Sequence, residues 1–254
     1  MRILLSNDDG INAPGLAALA AEMAKHGEII IYAPLSEMSA VGHAITLSDP
    51  LRVSEMRKNG AFFGYAVRGT PADCVKVAIW ELGRQNRLPD IVISGINQGS
   101  NTGINTIYSG TVSAATEGAI SGIPAIAMSL ASYASPDFSV AAEFAGVIAH
   151  QLLAHPLPPG VFLNVNVPAV PRREIRGVRI TRQGTANWIE EYEIRKDPHN
   201  RNYYWLTGEK RDEEPDPELD DQAILENMVS ITPVHCDMTC YPALTTLREW
   251  NIPF

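Results

Sequence analysis

Nowhere does this chain carry the roughly 20 uninterrupted apolar residues that a helix needs to cross a bilayer, so a membrane-spanning reading has no support in it. Met1 leads at once into the short apolar stretch Ile3-Leu4-Leu5, without the charged and apolar regions of a secretory leader, and the cytoplasm is the expected compartment. Cysteine is scarce. Cys74, Cys236 and Cys240 form an odd set with no paired zinc-ligand spacing, which argues for free thiols over a disulfide framework, with Cys74 in a helix core. Basic runs are missing too, so no nucleic-acid polymer is expected as a partner. The first strand-to-helix turn lacks Gly-x-Gly-x-x-Gly, which speaks against a dinucleotide-dependent oxidoreductase. There is no internal repeat and no low-complexity tract.

What is present is enough for a globular, folded protein. A length of 254 residues with 45% hydrophobic content supports a substantial core. The formal charge of -9 is unevenly spread. Between Glu209 and Asp221 stand eight acids against Lys210 and Arg211, a local charge of -6 that leaves only -3 for the rest. With Pro215 and Pro217, that segment reads as a solvated connection.

The chain alternates apolar runs and amphipathic stretches in the manner of a parallel sheet. Strands are expected at Arg2 to Leu5, Glu28 to Ala33, Ala61 to Val67, Pro89 to Gly95, Ala125 to Ser129 and Val161 to Val167. Helices are expected from Gly15 to His26, Thr70 to about Arg84, Thr111 to Ser121 and Ser139 to about Leu153. The second of these has three agreeing start signals: a Thr cap, Pro71 at the first helical position, and Asp73 three residues after the cap. Residues 35 to 50 are too polar for a core. After Pro168 the character changes. Val178 to Arg182 and Tyr203 to Leu206 look like strands of a protruding hairpin, Val229 to Val234 like a later strand, and Ala243 to Trp250 like a closing helix. The expected architecture is α/β: a Rossmann-like, mostly parallel sheet flanked by helices, with a C-terminal β-hairpin arm. Residues 1–254 read as a single domain, with about 170–227 forming the arm.

Chemistry gathers at strand ends. The run Ser6-Asn7-Asp8-Asp9-Gly10 follows the first strand directly, and in an open α/β sheet ligands collect outside the carboxyl ends of strands. Adjacent side chains of a strand point to opposite faces, so Asp8 and Asp9 converge on one ion only if the chain leaves the strand there, which Gly10 permits. The same residues are also ordinary turn chemistry. Two crowded carboxylates without a cation would drive one pKa strongly upward. Asn97, in the loop after Asp90 to Ser94, opens on the same sheet edge, and Ser39 lies in the loop after the second strand. Two carboxylates, an amide oxygen and a hydroxyl suit one hard divalent cation, Mg²⁺ or Mn²⁺. Ser109-Gly110-Thr111 sits at a helix start, where free N–H groups and the helix dipole attract an anion, although Ser-Gly-Thr is equally a normal cap. Cation and anion sites on one edge together imply phosphoester hydrolysis. His43 or His235 could protonate the leaving alkoxide, against the plainer reading of a structural hydrogen bond.

Ordered motifs then carry a resemblance. Ile3 to Gly15 with Ser6-Asn7-Asp8-Asp9-Gly10, Ala33-Pro34 with Ser39 and Gly42 to Thr46, Gly69 to Val75, Ser94 to Asn101, and Tyr108-Ser109-Gly110-Thr111-Val112 resemble the successive signatures of the SurE family of 5′-nucleotidases. Asn164 to Pro168 and Ser230 to Pro233 extend it over nearly the whole chain. The resemblance implies a divalent-metal-dependent phosphatase acting on nucleoside 5′-monophosphates, and also on 3′-nucleotides and short polyphosphate, assembled as a homodimer or homotetramer through the arm. It assigns Asp8, Asp9, Ser39 and Asn97 as metal ligands and Ser109, Gly110 and Thr111 to the phosphate-side loop. Asn101 is counted with the phosphate side, and catalysis is expected of Asp8, Asp9 and Asn97 with His43, chosen over His235 because its loop also holds Ser39. Ala40 stands where many members have Gly. Attack by water and a phospho-aspartyl route both remain open at this level. The reading from another class is a non-enzymatic nucleotide-binding sensor. A haloacid-dehalogenase-like phosphatase would need Asp-x-Asp, and a response-regulator receiver a phosphorylatable Asp after a central strand.

Overall fold

A computed structural model describes residues 1–134, 137–185, 188–210 and 216–253. Nine strands form one sheet in the order β3-β4-β2-β1-β5-β6-β7-β11-β8. Its parallel centre comprises β4 (Ala61–Arg68), β2 (Glu28–Pro34), β1 (Arg2–Ser6), β5 (Ile91–Gln98), β6 (Ala125–Ala131) and β7 (Val161–Pro168). The chain builds outward on one side of β1, returns, and continues on the other side from β5. The strand order therefore reverses between β1 and β5, where doubly wound sheets bind their ligands.

Alternation along the central strands explains the layers. Ile3 and Leu5 pack into one core with α1 (Pro14–Met23) and α5 (Ser139–Ala154), while Leu4 turns to the other with α2 (Pro71–Arg84) and α4 (Gly110–Ile120). Both faces of the sheet are thus covered, and the strands read as continuous apolar runs. Burying a large side chain such as Phe162, 1% exposed, contributes about 1.5–3 kcal/mol. The helix-start signals of α2 form a capping box: Thr70 Oγ1 accepts from the Asp73 N–H at 3.1 Å, and Asp73 Oδ2 accepts from the Thr70 N–H at 2.9 Å. Cys74 is fully buried in that helix.

Three features depart from the sequence expectation. An edge strand, β3 (Arg52–Lys58), pairs antiparallel with β4 at the end of the polar loop. Gly177–Ile180, β8, is not part of the hairpin. It pairs in parallel with β11 (Met228–His235), because β11, antiparallel to β7, offers an open edge that β8 satisfies, and Thr181 Oγ1 fastens the join through Ser230 and Thr232 hydroxyls at 2.8 Å each. The hairpin consists instead of β9 (Trp188–Lys196) and β10 (Asn202–Lys210), a separate antiparallel sheet turned at Asp197 to Arg201. Short helices α3 (Asn105–Tyr108) and α6 (Asp220–Leu225) complete the connections, and α7 (Tyr241–Arg248) closes the chain. Of the acidic segment, Asp212, Glu213 and Glu214 lie outside the described residues. Among the described residues no helix is long and apolar enough to cross a membrane.

Candidate metal and phosphate site

The turn after β1 is built by its own side chains. Asn7 Nδ2 donates to the Gly10 carbonyl at 3.0 Å, Gly10 takes φ +95°, and the Ile11 N–H reaches the Pro34 carbonyl at 2.8 Å. Asp8 and Asp9 thereby leave the strand, as the convergence on one site requires. The Asp8 carbonyl accepts from the Met38 N–H at 2.8 Å, which pins the loop after β2 against the turn and delivers Glu37 and Ser39. Ser39 Oγ donates to Glu37 Oε1 at 2.7 Å. Asn97 comes from the last turn of the β5 ladder, and its Nδ2 is committed to the Gly99 carbonyl at 2.8 Å, leaving the amide oxygen as the free donor to a cation.

Asp8, Asp9, Ser39 and Asn97 line one cavity of about 1170 Å³, together with Asn101 and Ser109. Its wall carries a third carboxylate, Glu37, and no Lys, Arg or His among the described residues. The electrostatic consequence appears at Asp9. Burial, then the Asp8 charge, and lastly Glu37 push its pKa up to about 7, against a lowering hydrogen bond from the Gln98 backbone. Asp8 is also raised by burial, against hydrogen bonds from the Thr111 side chain and from the Asp8, Thr111 and Gly110 backbone. Among the described residues no three His, Cys, Asp or Glu side chains converge as metal ligands. A cation here would rest on two carboxylates plus the neutral oxygens of Ser39 and Asn97, an all-oxygen set that fits a hard divalent ion.

The structure relocates several expected roles. The helix start at Ser109-Gly110-Thr111 is real, with Ser109 Oγ capping α4 by accepting the Val112 N–H at 3.1 Å. Its first anion is Asp8 itself: Thr111 Oγ1 donates to Asp8 Oδ1, so the helix start grips a carboxylate. Gly110 makes this possible by close approach, since a Cβ there would stand 2.7 Å from Asp8 Cβ. Gly110 and Thr111 lie behind Asp8 and off the cavity wall, while Ser109 stays on it. Asn101 is the hub of a buried network: its N–H donates to Asn166 Oδ1 at 2.8 Å, its Nδ2 to Ser129 Oγ at 2.9 Å, and its carbonyl accepts from Asn164 Nδ2 at 2.8 Å.

His43 is not on the wall. Its Nε2 pairs with Glu117 Oε1 at 2.7 Å, and Glu117 Oε2 also accepts from Lys76 Nζ at 3.2 Å. Burial pushes Glu117 up, but the bonds from His43 and Lys76 outweigh it and hold the carboxyl below its ordinary value. His235 is exposed and off the cavity, its Nδ1 accepting from the Asp237 N–H at 2.7 Å. Sequence reasoning missed Glu37, which an acid two residues before Ser39 could have signalled. It also missed Tyr133 and the hairpin residues Leu206 to Gly208, which carry no local mark of the site.

Comparison with known proteins finds relatives over nearly the whole chain. The family model described as survival protein SurE matches residues 3–190. The 5′-nucleotidase SurE of Syntrophobacter fumaroxidans is 49% identical over 252 residues, covering 99% of this chain and 100% of that protein. The 5′-nucleotidase SurE of Syntrophus aciditrophicus is 52% identical over 249 residues, covering 98% and 93%. The crystal structure of the SurE protein from Aquifex aeolicus superposes with a TM-score of 0.84 at 36% identity, covering 98% of each chain. On sequence and on architecture alike, the chain belongs to the SurE family.

Proposed function

We propose that this chain is a divalent-cation-dependent 5′-nucleotidase that hydrolyses nucleoside 5′-monophosphates to nucleoside and inorganic phosphate. One observation carries the reading: Asp8, Asp9, Ser39 and Asn97 meet on a single cavity wall at the strand-order reversal, beside the capped start of α4. Three carboxylates without a basic neighbour repel a phosphate dianion unless a cation lies between them, and the four oxygen donors are where one would be held. The relatives named above are 5′-nucleotidases, which supplies the substrate class.

A Mg²⁺ or Mn²⁺ ion held there would neutralise charge on the phosphoryl oxygens and acidify water. The chain's own residues orient the substrate. Ser109 Oγ accepts from Val112 and keeps its proton to donate to a phosphoryl oxygen, and Asn101 Nδ2 has a second hydrogen beyond the one given to Ser129. Asp8, fastened by Thr111 at the start of α4, is a poor mobile nucleophile, so attack by water on phosphorus is the favoured route. The P–O bond to the sugar then breaks, and the leaving alkoxide takes its proton from solvent in the open cavity, because His43 is committed to Glu117. We extend the proposal to nucleoside 3′-monophosphates and short polyphosphate, which a cavity of about 1170 Å³ has room to admit. The free thiols Cys74, Cys236 and Cys240 are consistent with the reducing cytoplasm. Tyr192, Tyr203, Tyr204 and Trp205 stand exposed on the hairpin and support assembly as a homodimer or homotetramer, which a native mass equal to one chain would refute.

The test is phosphate release from nucleoside 5′- and 3′-monophosphates with Mg²⁺ or Mn²⁺, with chelator, and with Asp8→Asn. Metal-dependent release that chelator and the substitution both abolish in a folded protein supports the proposal. Tight nucleotide binding without release under either metal would overturn it in favour of a sensor.

A further inference from the structure

The cavity is also lined by large side chains to which hydrolysis gives no role. Tyr133, 74% exposed, Tyr108, 54% exposed, and Leu206 of the hairpin, 60% exposed, all line it without being buried by their own chain. Aromatic rings left open inside a cavity are unspent binding surface.

Tyr133 packs against the chain just beyond β5. Its ring lies against the backbone of Gly99, where a Cβ would come within 2.5 Å of Cε1 and 2.6 Å of Cζ, so only glycine lets the ring rest there. Gly99 has φ +110°, and its N–H is fixed to the Leu130 carbonyl at 2.9 Å. The Tyr133 carbonyl accepts from Gln98 Nε2 at 2.6 Å, which ties the ring's own loop to the end of β5. The tip of the ring therefore rests against the bend that follows β5, and most of the residue stays exposed. A tyrosine has only two side-chain torsions to fix, so covering it with a ligand costs little conformational freedom.

The same strand end carries a candidate cation ligand. Asn97, the amide among the expected cation ligands, bonds the Gly99 carbonyl at 2.8 Å. The ring therefore packs against the segment that carries this ligand, and Tyr133 and Asn97 line the same cavity. We infer that Tyr133, with Tyr108 and Leu206 completing the apolar wall, is the nucleobase-stacking residue of this site. The identity of the ligand rests on the nucleotidase reading; the stacking surface rests on the packing of Tyr133 over Gly99. Because every base has a π-face, such a wall tolerates base identity and favours purines through their larger area.

The experiment pairs turnover with binding. KM and kcat are measured for a purine nucleoside 5′-monophosphate, a pyrimidine one and ribose 5-phosphate, which keeps the ester and sugar but has no base. Calorimetry on the free purine nucleoside is run alongside, with Tyr133→Ala and Tyr133→Phe. The expected result is a KM raised about tenfold by Tyr133→Ala for the purine nucleotide, the scale of one stacking contact, less for the pyrimidine and little for ribose 5-phosphate. kcat should be unchanged, nucleoside binding weakened in parallel, and Tyr133→Phe should restore both. An unchanged nucleoside affinity, or equal loss on all three substrates, overturns the subsite and leaves the hydrolase reading intact. Nucleoside binding that needs Tyr133 in a protein that releases no phosphate supports the subsite and sinks the hydrolase reading instead.

Discussion

Gly110→Ala is the substitution that most directly tests how Asp8 is held. A Cβ at this position would stand 2.7 Å from Asp8 Cβ, 2.9 Å from Pro71 Cγ and 3.1 Å from Asp8 Oδ2. Pro71 is buried at the capped start of α2 and has no room to retreat, so Asp8 must move, and the bond from Thr111 goes with it. Overpacking costs about 1–3 kcal/mol, offset by at most about 1 kcal/mol from the better helix propensity of alanine. A net loss of about 1 kcal/mol lowers Tm by about 2–4 °C in a chain of this size. The catalytic loss is larger, since a misplacement of about 1 Å in a reacting constellation costs about a hundredfold. Phosphate release under saturating substrate should therefore fall about a hundredfold while the melting curve barely shifts. Gly118→Ala is the control on the same helix: its Cβ would meet Val92 Cβ, Val92 Cγ2 and Ala125 Cβ, all at 3.0 Å, far from Asp8. It should destabilise comparably and keep kcat. Wild-type kcat in Gly110→Ala, or equal losses in both variants, would refute the reasoning.

Two other outcomes follow from the loops around the cavity. Asp220, fully buried, accepts from the Gly103 N–H at 2.9 Å, the Gly184 N–H at 3.0 Å and the Asp221 N–H at 2.9 Å, joining the loop of Asn101 to the root of the hairpin. Asp220→Asn turns one acceptor into a donor facing these amides and should cost about 1–3 kcal/mol in urea unfolding; a midpoint equal to wild type would count against that linkage. Asp73 is pushed up by burial, but the Thr46 and Thr70 bonds outweigh this and hold it below its ordinary 3.8. Its stabilisation is present above that value and lost as pH falls through the lower folded pKa. The stability gap between wild type and Asp73→Asn should be full at neutral pH and close below about pH 3.8; a gap that stays constant into acid would show that the charge contributes nothing.

Local chemistry was legible in the residues because it acts over a few positions. The cap at Thr70 and Asp73, the turn at Asn7 to Gly10, and the apolar runs of β1, β5 and β6 each declare themselves within one turn or one strand, and they dictate a doubly wound sheet. The ordered motifs likewise named Asp8, Asp9, Ser39, Asn97 and Ser109, which the fold brings to one cavity. Other features depended on which edges remained open once the sheet had formed. Gly177–Ile180 joined β11 and left β9 to pair with β10, because a four-residue strand is claimed by whichever ladder needs it. His43 turned to Glu117 on α4, a partner 74 residues away whose burial demanded a counter-charge. Tyr133 and Leu206 reached the cavity only through long-range packing, over Gly99 and across the hairpin. The sequence by itself determined the sheet, its helices and the oxygen donors at the strand ends, since these follow from short-range periodicity and turn chemistry. The tertiary structure alone decided what backs each donor and what walls the substrate, since burial and distance between remote segments exist only after folding.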